Sequence, residues 1–239
     1  MKFEIMLRGL FDPLFGEVDF VKRTYAALKD HGFSDTNTIA ATCICRDEIS
    51  QTLRSIIKHM WGGEAFNLSS LAGMFFAGKT GLLAAMHHAP VTGGRERYVF
   101  YALPHIAIGS EGQIGMCKRT GREGDSTACG SLNAFQKEMV GGRLNLSLES
   151  EDVEQSLVKQ RLLREIPYGH VPDLLELTKI THKAIHADLE RVISQIVDPG
   201  KSDYALITGI QIHGPENNYV WPSSFYAMVN GERKIIELK

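Results

Sequence analysis

The stretch Thr38-Ile-Ala-Ala-Thr-Cys-Ile-Cys-Arg-Asp-Glu48 constrains the fold more than any other part of the chain. Its apolar, β-branched run predicts a buried strand over 37–45, which stops abruptly in a thiol, a guanidinium and two carboxylates. Ile49-Ser-Gln-Thr-Leu-Arg-Ser-Ile-Ile57 then takes up helical spacing. Asp47 or Glu48 is placed to cap that helix, and Gly62-Gly63 ends it near Trp61. A strand, a tight turn and a helix in direct succession make half of a βαβ unit. In open α/β sheets the ligand crevice lies outside the carboxyl ends of the strands, so Cys45, Arg46 and Asp47 arrive where a site is expected.

The rest of the chain repeats this alternation. Val18, Val21, Tyr25 and Leu28 share one face of an amphipathic helix over 17–30, closed by His31-Gly32. Residues 70–90 are Gly-rich, then helical, then stopped by Pro90. Arg97-Tyr-Val-Phe-Tyr-Ala-Leu103 reads as a second buried strand leading to Pro104-His105, and 106–116 as a hairpin. A polar loop over 118–127 precedes Ala-Cys-Gly-Ser-Leu132, which opens a helix through Met139. Two long amphipathic helices follow at 150–166 and 172–197. Strands at 204–212 and 224–238 close the chain, the latter with an Asn-Gly turn. The expected fold is therefore α/β, a mainly parallel central sheet flanked by helices. Residues 1–239 are expected to form a single domain, with N-terminal helices over 1–35, a metal-site core over 36–140 and helices and strands over 141–239.

A formal charge of −2 argues against nucleic-acid binding, which needs clustered excess Lys and Arg. Arg8, Asp12, Glu17 and Asp19 interrupt any apolar core of a leader in residues 1–30, and no run approaches membrane-spanning length, so no membrane partner and a cytoplasmic location are expected. In a reduced compartment, cysteines are more often packed thiols, ligands or catalysts than disulfides. Cys45, His105 and Cys129 each stand where a strand ends or a helix begins. One imidazole and two thiolates suit zinc, and three protein ligands leave a fourth position open, the catalytic pattern. Cys43 and Cys117 read as packed thiols.

Four blocks in order, Cys-Arg-Asp-Glu (45–48), Gly-Lys-Thr-Gly (78–81) with Ala-Ala-Met-His-His-Ala-Pro (84–90), Pro-His-Ile-Ala-Ile (104–108) and Ala-Cys-Gly-Ser-Leu (128–132), resemble the limiting-CO2-inducible protein B family. That family is similar to the β-class carbonic anhydrases in fold and metal site. The resemblance implies a homodimer with one zinc per chain, held by Cys45, His105 and Cys129, and reversible hydration of CO2 to bicarbonate by hydroxide generated at the metal. It also implies an aspartate–arginine pair. Asp47 stands two residues beyond the first thiolate, as in the β-class Cys-x-Asp-x-Arg pattern, but Ile49 occupies the arginine position. Arg46, or the more distant Arg119 or Arg122, must therefore partner Asp47, and Arg46 is the expected one. Its task would be to hold the carboxylate off the metal while Asp47 orients the hydroxide. His88, or its neighbour His87, is the expected proton shuttle.

Two other readings compete. Gly73-Met-Phe-Phe-Ala-Gly-Lys-Thr80 satisfies the phosphate-loop pattern of nucleotide-binding enzymes letter for letter, although its filler residues are apolar and no later strand ends in a magnesium-binding Asp. A catalytically closed, zinc-bearing interaction protein of CO2 acclimation is the other. His182 and His186, four apart, lack the Glu of a His-Glu-x-x-His motif and read as a solvated helix face. Ser131 has no nucleophile-loop flanks.

Overall fold

The computed structural model describes residues 2–119 and 121–238. Lys2–Leu10 (α1) and Glu17–Lys29 (α2) flank a two-residue strand, Phe15–Gly16 (β1). The expected strand forms over Ile39–Ile44 (β2), and Asp47 caps the 3-10 turn Glu48–Ser50, its carboxylate accepting from the Ile49 amide at 3.4 Å. The helix Gln51–Met60 (α3), the short strand Ala65–Asn67 (β3), a 3-10 turn at Leu71–Gly73 and the helix Gly78–Met86 (α4) follow. Val91–Thr92 (β4) leads into Arg95–Leu103 (β5), and Pro104 separates β5 from His105–Ala107 (β6). Met116–Lys118 (β7) and Asp125–Thr127 (β8) pair as a hairpin. Helices Gly130–Val140 (α5), Val153–Leu163 (α6) and Leu174–Ile196 (α7) precede the strands Ser202–His213 (β9), Asn218–Val229 (β10) and Glu232–Ile235 (β11).

β3, β2, β5 and β9 lie side by side and parallel, with β6 continuing along the carboxyl half of β9. Parallel strands are covered on both faces, which is why β9 is buried along all twelve residues and its sequence reads as a nearly continuous apolar run. β10 pairs antiparallel to β9 and carries β1 and β11, and β4 pairs antiparallel to β5. The sheet is thus mixed, with a parallel centre. Alternation along β9 sends Ala205 and Ile207 toward α2 and α3, beside Ile44, Val99 and Leu103. Leu206, Ile210 and Ile212 go to the opposite layer, beside Ile185, Leu189 and Ile193 of α7. Each fully buried side chain of this kind contributes about 1.5–3 kcal/mol. Among the described residues no helix is long and apolar enough to cross a membrane.

Three stretches differ from the sequence reading. Over 106–116 the expected hairpin narrows to one antiparallel bridge, Ile108 to Ile114, flanked by bonds from the Gly109 amide to the Gln113 oxygen at 2.9 Å and from the Gly115 amide to the Ala107 oxygen at 2.7 Å, while 106–107 also belong to β6. A second hairpin, β7–β8, forms across the polar stretch expected to be a loop. Strand β10 begins at Asn218, earlier than expected, and crosses Pro222, where its register with β9 shifts and the lost amide costs no ladder bond.

The phosphate-loop pattern is overturned by packing. Met74 and Phe75 are buried in the same apolar layer as Cys45 and Cys129 instead of framing an open cradle of amides. Gly73 has a φ of +73°, and a Cβ there would stand 3.0 Å from the Leu103 oxygen and 3.3 Å from the Cys45 nitrogen. This glycine serves a close backbone approach behind Cys45. Gly73→Ala is expected to cost about 1–3 kcal/mol in urea unfolding, because both the backbone conformation and the space are wrong for a side chain.

Candidate metal centre

Each residue of the Cys45, His105 and Cys129 group is delivered by the end of an element. Cys45 follows the last residue of β2, His105 opens β6, and Cys129 is the N-cap of α5. The bond from the Gln211 amide to the Pro104 oxygen at 2.9 Å fixes the entry to β6, so that His105 lies opposite Gln211. All three side chains are buried, and their ligand atoms lie within 4.8 Å of one another, the two sulfurs 3.8 Å apart.

The donors fit a metal. His105 Nδ1 lies 3.0 Å from His213 Nε2, whereas His105 Nε2 is buried with no hydrogen-bond partner among the described residues, a state avoided unless something else satisfies the atom. The Cys129 thiol, donating to the Cys45 sulfur, draws the Cys45 pKa down against the opposing effect of burial, to about 4. The Cys129 pKa is raised by the same sulfur contact and by burial, while the Ser131 and Leu132 amides at the start of α5 oppose this. Two thiolates this close repel each other, and a cation between the sulfurs would relieve that. Two soft sulfurs with one imidazole nitrogen are a zinc-type donor set.

Asp47 stands beside this group, its Oδ2 3.8 Å from His105 Nε2. The guanidinium that meets it belongs to Arg119, through a two-pronged contact of 2.9 Å on each oxygen. Arg119 is itself held by Ser126 Oγ at 3.0 Å, by the Thr127 oxygen at 3.2 Å and by Glu48. Burial raises the Asp47 pKa, but the hydrogen bonds and charge of Arg119 and the bond from the Ile49 amide oppose it, and the carboxyl is held below its ordinary value. Arg46, the expected partner, points elsewhere: it bonds the Ser69 oxygen at 3.2 Å and Glu154 at 2.7 Å, tying β2 to α6. The sequence offered Arg119 only as an alternative to Arg46, because the hairpin that delivers it leaves no apolar periodicity to read.

The structure does not bring His88 to the centre. Its ring packs on Phe66 at 5.6 Å, and Phe66 lies opposite Ala41, four residues or roughly 13 Å of strand before Cys45. Cys43 is the packed thiol expected, donating to the Gly73 oxygen at 3.2 Å, and burial raises its pKa to about 12. Cys117 is only half-buried, in β7. Ser131 bonds Gln155 of α6. The sequence reading missed His213 and Asn218. His213 ends a parallel strand at the same edge of the sheet as Cys45, which is the one signal that marks it.

His182 and His186 are not solvated. Both turn inward, to within 3.1 and 3.2 Å of Thr208 Oγ1 on β9. Burial, then the neighbouring His186 and Lys183 charges, lowers the His182 pKa to about 4. The unfolded chain therefore takes up this proton near pH 6.5 and the folded one only near 4. The stabilisation is complete above pH 6.5 and lost as pH falls toward 4, by about 3 kcal/mol. Urea unfolding between pH 7 and 4.5 is expected to show this loss, with a shallower slope for His182→Gln.

A sheet with a parallel centre and a Cys-His-Cys cluster outside its strand ends is the arrangement of the β-carbonic-anhydrase-like α/β proteins. Within that class the chain belongs to the limiting CO2-inducible protein B/C family of β carbonic anhydrases, whose model matches residues 14–229. The crystal structure of limiting CO2-inducible protein LCIB is similar to it, with 35% identity over 98% of both chains and a TM-score of 0.81. PtLCIB4, a homolog of that protein, shares the fold at 24% identity, covering 97% of this chain and 98% of its own, with a TM-score of 0.82. No curated protein matches the chain.

Proposed function

We propose that this protein is a zinc lyase interconverting CO2 and bicarbonate, its metal held by Cys45, His105 and Cys129. The observation that carries the reading is the convergence of two buried sulfurs on a buried imidazole nitrogen that has no hydrogen-bond partner among the described residues. Bound there, zinc would supply the Lewis acidity that brings the pKa of a water down to about 7. The protein's own part is orientation. Asp47, ionised and gripped on both oxygens by Arg119, is an acceptor only, so it holds a neighbouring water by one of its protons and turns a lone pair of that water outward toward CO2. Arg119 also restrains the carboxylate from turning onto the donor cluster. Membership of a family of β carbonic anhydrases supports the same chemistry.

A second reading, a closed zinc-bearing protein, is favoured by the 3.8 Å between Asp47 Oδ2 and His105 Nε2, since a carboxylate released by Arg119 there would fill the fourth position. Stopped-flow CO2 hydration on protein loaded with one zinc per chain decides between them. The open site is expected to hydrate CO2 well above the buffer rate, and the closed one to match it. A homodimer in the cytoplasm belongs to the same proposal, and sedimentation of the loaded protein tests the dimer.

A further inference from the structure

His213 ends β9, is buried, and lies opposite Asn218 in the β9–β10 ladder. Its Nδ1 stands 3.1 Å from Asn218 Oδ1. An amide oxygen only accepts, so His213 Nδ1 carries the hydrogen and its Nε2 is left as a lone pair. That lone pair faces His105 Nδ1 at 3.0 Å, so His105 donates from Nδ1 and keeps its own lone pair on Nε2. The direction of the chain rests on which way the Asn218 amide is turned. Its Nδ2 donates to Glu17 Oε2 and to Thr52 Oγ1, each at 3.4 Å, so Oδ1 is left to face His213. Glu17, buried at the start of α2, is fixed by Gln211 Nε2 at 2.5 Å and by the Thr52 hydroxyl at 3.1 Å.

We propose that Glu17, Asn218 and His213 form a positioning relay that permits one tautomer of His105, the one whose Nε2 lone pair faces Cys45 and Cys129. The proposal deepens the reading of His105 as a metal ligand and rests on it for its purpose, though not for its geometry. Three regions distant in sequence, α2, β6 and the β9–β10 hairpin, must be assembled to set one proton. An imidazole free to exchange tautomers would spend part of its time presenting an N–H to the two sulfurs, and that fraction is subtracted from its capacity to bind a cation.

The relay is tested by zinc competition against a chromophoric chelator and by histidine 15N spectra of the metal-free protein. His213→Phe keeps a buried ring but removes the acceptor. It is expected to weaken zinc binding about 10–100-fold and to abolish the single Nδ1–H signature of His105. Asn218→Ala, at a partly exposed position, is expected to act in the same direction and carries both readouts if His213→Phe does not fold. Glu17→Gln combined with Asn218→Asp exchanges donor and acceptor across that contact while keeping its polarity. This pair is expected to recover most of the affinity lost in Asn218→Ala, which a merely structural role would not produce. Unchanged zinc affinity in both His213→Phe and Asn218→Ala would overturn the relay. A parent protein that takes up no zinc sinks the metal reading instead. The metal-free parent then judges the relay alone: His105 protonated solely on Nδ1 upholds it, and a mixture of tautomers or Nε2–H contradicts it.

Discussion

His105→Ala is expected to empty the centre and bring CO2 hydration to the buffer rate. A structural or catalytic zinc bound by cysteine and histidine is held by a total of about 10–16 kcal/mol. Three protein donors share that total, so the loss of one amounts to roughly 3–5 kcal/mol, or two to four orders of magnitude in affinity. Among the described residues no other His or Cys belongs to the group that Cys45, His105 and Cys129 form, so the remaining pair of sulfurs has no third donor already in place. Cys45→Ala and Cys129→Ala are expected to behave alike, with metal content after gel filtration as the common measure. Fold stability moves less than metal content, since the truncated ring lies at a strand end and not in the middle of the apolar layers. Stoichiometric zinc in Cys45→Ala would contradict the ligand assignment.

The second large effect is expected at Arg119. Removing the guanidinium strips both Asp47 oxygens of their partners, in a place where the side chains are only 16% and 11% exposed. An uncompensated carboxylate at such a site costs about 3–5 kcal/mol, more than the pair itself contributes. Arg119→Ala is therefore expected to destabilise the fold more than Asp47→Asn, and adding Asp47→Ala to Arg119→Ala is expected to restore part of the loss. Arg119→Lys should recover little of it, because an ammonium cannot grip both oxygens or reach Ser126 and Thr127 as well. Turnover should fall in Arg119→Ala while zinc content stays near one per chain, as the freed carboxylate swings toward the cluster. The pH dependence follows from the lowered carboxyl pKa of folded Asp47. The pair stabilises the fold above the ordinary value of 3.8, and this is lost as pH falls through the lower folded value. In Arg119→Ala that acid-side loss should disappear. Urea unfolding of the three variants and the double variant measures the stability effects, and stopped-flow CO2 hydration with metal analysis measures turnover and zinc content.

The strand of the fold that mattered most was legible because burial on both faces leaves an uninterrupted apolar run, as in 39–44, and because the polar residues after it have no reason to be there unless they meet something. The same reasoning reached His105 and Cys129 at element ends. What brings the three side chains together was not legible, since 23 residues of bridge and hairpin separate His105 from Cys129 and no periodicity encodes that path. Arg46 drew attention by adjacency, yet a residue that follows a strand's last thiol alternates away from it and meets α6 instead. Arg119 came from a polar stretch whose hairpin is built by pairing rather than by propensity. His213 and Asn218 were hidden differently: they are the last residue of β9 and the first of β10, and only the β9–β10 register shows that they face each other.

X-ray absorption at the zinc edge of the purified protein addresses the central claim most directly. The account predicts one zinc per chain with two sulfur neighbours at about 2.3 Å and the remaining nitrogen or oxygen neighbours at about 2.0–2.2 Å. A zinc shell of nitrogen and oxygen alone, or a protein that holds no zinc when offered it, would contradict it.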